Sequence, residues 1–236
     1  MRILKIALVA LAIFLLVFNS ATLAAKKKKK KNTCGATSSQ KDGDCPVQGC
    51  GGDPLLNRRK NLVTAASNPE TYTRTDFVKL KFPKSWVPGT KRTLLKDWGE
   101  GTAVTYETFL LKVKNYPSGA EACNCNLKLN ENNDFHLVTG HKRTTPEDDS
   151  ITGEISPRFR PDGWTITKLR KLAKDKAYVQ LTGYLMLDTQ HVGKSEPARV
   201  THWEIHPVTS FKVCTGSVAS CKAGENWQDL SDFPEP

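Results

Sequence analysis

Side chains that can bind a metal ion alternate along a short segment near the end of the chain. In a β-strand every second side chain points to the same face. His202, Glu204 and His206 would therefore share one face, whereas Trp203 and Ile205 would lie on the opposite face and pack in the core. Imidazole and carboxylate groups are zinc donors, so the first face is a candidate metal or ligand site.

Two more groups of the same type lie further up the chain. Asp134 and His136 are a second same-face pair, and His191 follows Asp188 by three positions. An ion held by such groups would lower the pKa of a bound water, and a spare carboxylate would serve as general base. The candidate catalytic residues are His206, Glu204 and His136. The same three residues are the candidate metal ligands. These donors would suit zinc, but the sequence leaves the cofactor undetermined.

A purely structural role for these residues is the favoured interpretation. Successive same-face side chains of one strand lie about 6.6–7 Å apart, so three in a row rarely bind one ion. His206 precedes Pro207, and its ring can hydrogen-bond a neighbouring strand where proline donates no backbone hydrogen bond. No catalytic triad or phosphate-binding glycine loop can be assembled from the sequence, so enzymatic activity stays undecided, and binding without catalysis is favoured.

The elements that would position these residues are mainly strands. A helix is predicted from Ile166, with Thr165 as its N-cap, because apolar residues recur there at helical spacing. Strands are predicted at 76–82, 102–114, 125–129, 135–139, 151–159, 177–187 and 200–213. One helix between an early group of strands and the last two strands is the order of a small OB-like Greek-key barrel. The fold class is therefore mainly β.

The chain divides into four regions by composition. Residues 1–25 read as a signal peptide, 26–70 as a basic, Cys-rich, irregular segment with a short helix at 55–66, and 71–215 as the barrel domain. Residues 216–236 read as an acidic tail. No stretch after residue 25 is apolar enough for a transmembrane helix, so the mature chain is expected to have none.

Seven cysteines are expected to be mostly disulfide-bonded in an exported protein, with one left over. Cys214 and Cys221 are the easiest pair because they close a short loop. Cys123 and Cys125 would point to one face of an extended segment, which is awkward for a bond between them, so different partners are expected. A zinc site at this pair lacks the usual ligand spacing.

Four short motifs are spread over the centre of the chain: ACNC at 122–125, DFHLV at 134–138, LTGYL at 181–185 and WEIHPV at 203–208. Together they resemble a diffuse family of exported bacterial proteins of poorly defined function. The resemblance covers about residues 75–214 and implies an OB-like barrel. It carries over no established activity.

The predicted function is binding of a polyanion such as nucleic acid or acidic polysaccharide, or of another envelope component. Charge and aromatic residues permit this binding, although a solvated basic surface and aromatic residues of the core are the commoner explanations. The net charge of +11 falls to +9 without Arg2 and Lys5, and to +3 without the six lysines at 26–31, so the body is only mildly basic. The strand candidates carry aromatic rings that could stack on a ligand. The ligand-binding candidates are His202, His191, Asp134, Lys142 and Arg143. The alternative is a metal-assisted secreted hydrolase, nuclease-like in its chemistry. The oligomeric state is left open.

Export is the prediction that a direct measurement tests first. Arg2 and Lys5 precede a 13-residue apolar run at 6–18, which is shorter than a membrane span, and small residues follow. We expect cleavage after Ala24 or Ala25, so that N-terminal sequencing of the secreted protein starts at Ala25 or Lys26. A protein that keeps Met1 and stays with the membrane would contradict this.

Overall fold

Five long strands close into a barrel in the computed structural model, which describes residues 45–194 and 198–235. The predicted signal peptide at 1–25 and the six-lysine run at 26–31 lie outside the described residues. All elements belong to one compact unit, Asn32–Pro236. The strands are β1 Glu70–Tyr72, β2 Ala103–Lys114, β3 Phe135–Gly140, β4 Ile151–Ile155, β5 Tyr178–Leu187, β6 Trp203–Cys214 and β7 Trp227–Asp229. The helices are α1 Pro54–Lys60, α2 Arg74–Lys79, α3 Ile166–Lys174 and α4 Val218–Lys222.

The barrel has the OB-like order that the sequence predicts. Strand β2 pairs antiparallel with both β3 and β5, β3 pairs with β4, and β5 pairs with β6. A parallel pairing of β4 with β6 closes the ring. Helix α3 lies between β4 and β5 in the chain, as expected, and the Thr165 hydroxyl accepts a hydrogen bond from the Lys168 N–H at 3.2 Å. The predicted mainly β fold class is confirmed.

The core fills the barrel and lies against α3. Trp203 and Ile205 are fully buried there, as the alternation in β6 predicts. Leu169 and Leu172 of α3 are buried in the same cluster. Because the core holds one face of each strand, the opposite face is fixed as well. That opposite face of β3, β4 and β6 carries the polar residues of interest.

The predicted strand at 76–82 is wrong, because residues 74–79 form helix α2. A local cap decides this: the Asp76 carboxylate accepts hydrogen bonds from the Thr73 N–H at 2.8 Å and from its hydroxyl at 2.7 Å. Such a capping arrangement starts a helix even where apolar residues alternate. Phe77 is the residue of α2 that enters the core.

The predicted strand at 125–129 is also wrong. Cys125 and Asn126 have φ angles of 55° and 54°, in the left-handed region that no strand uses. The Asn133 amide donates to the carbonyls of Leu127 and Leu129 at 2.8 and 2.7 Å and holds this stretch as a compact loop. A short 3₁₀ turn at Asn130–Asn132 follows this loop and leads into β3.

The described part of the N-terminal segment packs on the domain. Asp53 caps α1 through hydrogen bonds from the N–H groups of Leu55 and Leu56, and Leu56 is fully buried. The Asn61 amide donates to the Cys123 carbonyl at 2.8 Å, which joins the end of α1 to the β2–β3 loop. At the other end of the chain, within the region grouped as an acidic tail, β7 pairs with β6 and Leu230 is buried.

Disulfides connect the same regions. Cys214–Cys221 forms as predicted, and Cys45–Cys125 links the N-terminal segment to the β2–β3 loop across 80 positions. Cys50 is disulfide-bonded as well. Among the described residues, Cys123 is a free, buried thiol. Cys123 and Cys125 therefore do not bond to each other, and only Cys125 of the two forms a disulfide. No helix in the described ranges has both the length and the apolarity to cross a bilayer.

The Cys45–Cys125 and Cys214–Cys221 disulfides should differ in their contribution to stability. Loop-closure entropy predicts a loss of about 4–5 kcal/mol when Cys45 and Cys125 are both changed to alanine, and about 2–3 kcal/mol for the Cys214→Ala/Cys221→Ala control. Urea unfolding of the oxidised proteins measures both. Equal losses would show that loop length does not set the contribution of these disulfides.

Candidate functional site

Strand register brings His136, Glu154 and His206 side by side. His136 faces Glu154 across the β3–β4 pair, and the pairing of Thr152 with Glu204 in the parallel β4–β6 pair sets Glu154 beside His206. His136 Nδ1 lies 2.9 Å from Glu154 Oε1, and His206 Nδ1 lies 2.9 Å from Glu154 Oε2. One carboxylate therefore bridges two imidazoles from two other strands.

Further carboxylates complete the cluster around both rings. Glu121, from the β2–β3 loop, lies 2.9 Å from His136 Nε2, so both nitrogens of that ring have close carboxylate partners. The hydrogen bond of His206 Nδ1 goes to Glu204 Oε1 at 3.3 Å. Asp134 Oδ2 lies 3.5 Å from His206 Nε2, without a hydrogen bond. Four carboxylates thus surround two imidazoles.

The cluster is buried although it lies on the outer face of the barrel. Helix α1 and the β2–β3 loop cover it: Lys60 Nζ approaches Glu154 Oε2 to 3.9 Å, and Cys123 Sγ lies 3.8 Å from Asp134 Oδ2. The side chains of His206 and Asp134 are 0% and 1% exposed. A polar strand face that would ordinarily meet water is therefore enclosed by the N-terminal segment.

Burial and the attraction between opposite charges shift the pKa values of Glu154, His136 and His206 in different directions. Burial alone would raise the pKa of Glu154, but His136, Lys60 and His206 hold it well below its usual value. Burial would lower the pKa of both histidines. The pKa of His136 is instead raised well above its usual value by Glu154 and Glu121, and that of His206 is raised to about 9, chiefly by Glu154.

Asp134 and Cys123 are the groups that resist ionisation. Burial and the neighbouring Glu121 raise the pKa of Asp134 to about 6. Burial and Asp134 raise the pKa of the Cys123 thiol well above its usual value. The raised pKa values show that negative charge is poorly compensated at this corner of the cluster, so an added cation there would favour ionisation of both groups.

A cavity of about 520 Å³ opens beside the cluster, on the face of β3 and β4. His136 and Glu154 form part of its floor, and its walls come from the β2–β3 loop at 115–134 and from the described parts of the β5–β6 loop, at 188–194 and 198–202. Cavities of this size hold small ligands or segments of a polymer. Lining groups from the two loops and from neighbouring elements include Lys60, Lys114, Tyr116, Glu121, Asp188, His191 and Arg199.

The β5–β6 wall is an ion-pair network of its own. Asp188 Oδ2 lies 2.5 Å from both His191 Nδ1 and Arg199 Nη2, and Arg199 Nη1 reaches Glu204 Oε2 at 2.8 Å. Burial would raise the pKa of Asp188, but the His191 hydrogen bond and the Lys60 and Arg199 charges lower it. Arg199 thus joins the wall of the cavity to the buried cluster.

The structure brings together four of the residues singled out from sequence: Asp134, His136, Glu204 and His206. His191 lies in the cavity wall, separate from that cluster. His202 packs edge-on against Phe82, with ring centroids 5.3 Å apart. Lys142 and Arg143 follow β3, and the Arg143 guanidinium lies over the Phe109 ring at 5.1 Å. Neither basic residue lines the cavity.

Sequence reasoning missed the central residue, Glu154. Its signal was present, since Glu154 is an acidic residue inside a predicted strand and is flanked by the apolar Ile155 and by Gly153. Lys60 and Arg199 were missed because both reach the site from outside the barrel strands. Glu121 and Cys123 depend on the conformation of the β2–β3 loop, which sequence patterns assigned wrongly in part.

Comparison with known protein families, with curated proteins and with solved structures found no match to this chain. The resemblance of its motifs to a family of exported bacterial proteins therefore remains a prediction. The chemistry of the site is the guide to function.

The stability of the fold should depend on pH through His206. Its pKa is about 9 in the folded protein and about 6.5 in an unfolded chain, so its ion pairs stabilise fully below pH 6.5 and are lost as the pH rises through 9. This amounts to on the order of 3 kcal/mol. With a chelator present, Tm should fall between pH 6.5 and 9.5, and His206→Gln should reduce that fall, with the remainder coming from His136, whose pKa is also raised.

His202→Gln is the matched control for this measurement, because His202 directly precedes the same strand and lies outside the cluster. It should keep the alkaline fall of the parent protein. A fall of the same size in His206→Gln would show that other groups cause the pH dependence.

Proposed function

We propose that the chain is an exported binding module that holds a segment of an acidic polysaccharide in the cavity on β3 and β4. The observation that carries this proposal is the position of the cavity. OB-type barrels bind oligosaccharides and oligonucleotides on the face of their second and third strands, between the loops that join strands one to two and four to five. In this barrel those elements are β3, β4, the β2–β3 loop and the β5–β6 loop, which line the cavity.

The charges of the lining favour a polysaccharide over nucleic acid. Cations and carboxylates alternate there: Lys114 is paired with Glu147, and Arg199 with Asp188. A nucleic acid would bring a phosphate near these carboxylates at every nucleotide, and the repulsion would oppose binding. An acidic sugar chain carries fewer charges and many hydroxyls, which donate to carboxylates and accept from lysine and arginine.

An aromatic ring at the cavity supports the same ligand class. Tyr116 is 43% exposed and packs edge-on against His136, with ring centroids 5.0 Å apart. A large exposed ring fixed beside a polar cavity offers an apolar surface with little conformational freedom to lose on binding. The face of a sugar ring, which carries C–H groups, would pack on it.

A metal-assisted hydrolase is the second candidate function. It is favoured by one observation, the convergence of His136, Glu154 and His206 next to the cavity. Such an enzyme would need an ion at this cluster, and it would cut the bound polymer rather than only hold it.

Binding can be measured by calorimetry with a hyaluronan oligosaccharide, which carries one carboxylate for every two sugars, and with single-stranded DNA and neutral dextran. The full mature chain should carry serine in place of the six lysines at 26–31, because that run would bind any polyanion. We expect hyaluronan to bind more tightly than DNA, and Tyr116→Ala to weaken hyaluronan binding about tenfold, or about 1.4 kcal/mol.

Lys142→Ala is the control for that experiment, since Lys142 does not line the cavity, and its affinity should match the parent. Tighter binding of DNA, or an unchanged affinity in Tyr116→Ala, would overturn the polysaccharide proposal. Chromatography of the ligand after the assay separates the two functions, because a hydrolase would return shortened chains.

A further inference from the structure

We propose that Asp134, Glu154 and His206 form a binding site for one zinc-like transition-metal ion. The three residues lie on or next to β3, β4 and β6, and one donor atom from each lies within 4.8 Å of the other two. All three are buried. This site goes beyond polysaccharide binding and differs from the ligand set predicted from sequence, which was His136, His206 and Glu204.

The orientation of His206 is the first support for the site. Its Nδ1 donates to Glu204 Oε1, while Nε2 has no hydrogen-bond partner among the described residues although the side chain is 0% exposed. A histidine that ligates a metal usually donates its other ring N–H to a carboxylate, which fixes the ring and the tautomer. Glu204 would have that positioning role. The unsatisfied Nε2 faces Asp134 Oδ2 at 3.5 Å.

The separation of the donors suits a tetrahedral ion. Metal–ligand distances of about 2.0–2.1 Å place tetrahedral ligand atoms roughly 3.3 Å apart. The pair His206 Nε2 and Asp134 Oδ2 is already close to this value. Glu154 Oε2 lies 2.9 Å from His206 Nδ1 and 3.9 Å from Lys60 Nζ but makes no aligned hydrogen bond, so a rotation of this carboxylate towards Nε2 would make it a ligand. Small side-chain rotations would complete the three-ligand set.

The other candidates are already occupied by partners. His136 has a carboxylate oxygen 2.9 Å from each ring nitrogen. Glu204 accepts from Arg199 on one oxygen and from His206 on the other. Neither residue has a free donor atom to give an ion. This is why the site excludes two of the three residues that the alternation in sequence suggested.

The donor types favour zinc over calcium or magnesium. One imidazole and two carboxylates, with the Cys123 thiol 3.8 Å from Asp134, form a mixed nitrogen and oxygen set beside sulfur. Calcium takes six to eight oxygen ligands, and magnesium takes an octahedron of oxygens that includes several waters. Three protein ligands leave the fourth zinc position to water. Since Glu154 also lines the cavity, that water would lie on the cavity side.

Lys60 would compete with this ion for the Glu154 carboxylate. Its ammonium lies 3.9 Å from Glu154 Oε2 and, in the metal-free protein, supplies part of the positive charge that an ion would bring. Removing this charge should therefore strengthen metal binding, whereas removing a ligand should weaken it.

The test is a titration of the full mature chain, stripped with a chelator, with Zn²⁺ by calorimetry and with Co²⁺ by visible absorption. We expect one equivalent of each, with Co²⁺ giving the intense bands of a tetrahedral site. Asp134→Asn and His206→Gln should weaken binding at least 100-fold, and Lys60→Gln should strengthen it. His202→Gln and Cys123→Ala should bind within about threefold of the parent.

Absence of binding to the parent protein would overturn the site whether or not any variant folds. Loss in Cys123→Ala, or retention in both ligand variants, would assign the ion elsewhere and equally overturn it. Circular dichroism checks that Asp134→Asn, which keeps the shape of the side chain, is folded. Because this assay contains no polysaccharide and the hyaluronan assay can be run with chelator, the two proposals fail separately.

Discussion

The buried charge of Glu154 is the constraint around which this part of the molecule is organised. A carboxylate taken out of water is costly unless opposite charges and hydrogen bonds replace the lost solvation. Here the replacement comes from His136 on β3, His206 on β6 and Lys60 on α1. Each of these strands and the covering helix must therefore hold its position for the charge to be tolerated.

The N-terminal segment turns a barrel face into a site. Without α1 and the loop joined to Cys45 by the disulfide, the polar face of β3, β4 and β6 would be solvated, and its ion pairs would contribute little. Once covered, the same side chains interact in a low-dielectric environment, and their pKa values move apart. The cavity remains where this cover stops, so a ligand bound there would contact the edge of the buried cluster.

Alternation and helical spacing identified most of the elements correctly, but two predicted strands were wrong. Alternation in β2, β3, β5 and β6 identified strands because the barrel core forces one face of each strand to be apolar. The Thr165 cap and helical spacing identified α3. The segment at 76–82 failed because the Thr73–Asp76 cap outweighs its alternation, and 125–129 failed because a disulfide and the Asn133 side chain hold a loop there.

The sequence by itself determined what depends on near neighbours: the strand character of β6 with Trp203 and Ile205 inside, the helix α3, and the short Cys214–Cys221 loop. Only the tertiary structure decided which polar residues meet. The parallel pairing of β4 with β6 places Glu154 beside His206, 52 positions away in the chain. The Cys45–Cys125 disulfide then joins the segment that carries Lys60 to the loop that carries Cys123. Alternation specifies the face on which a side chain lies, but barrel closure specifies its neighbours, and closure is a property of the whole chain.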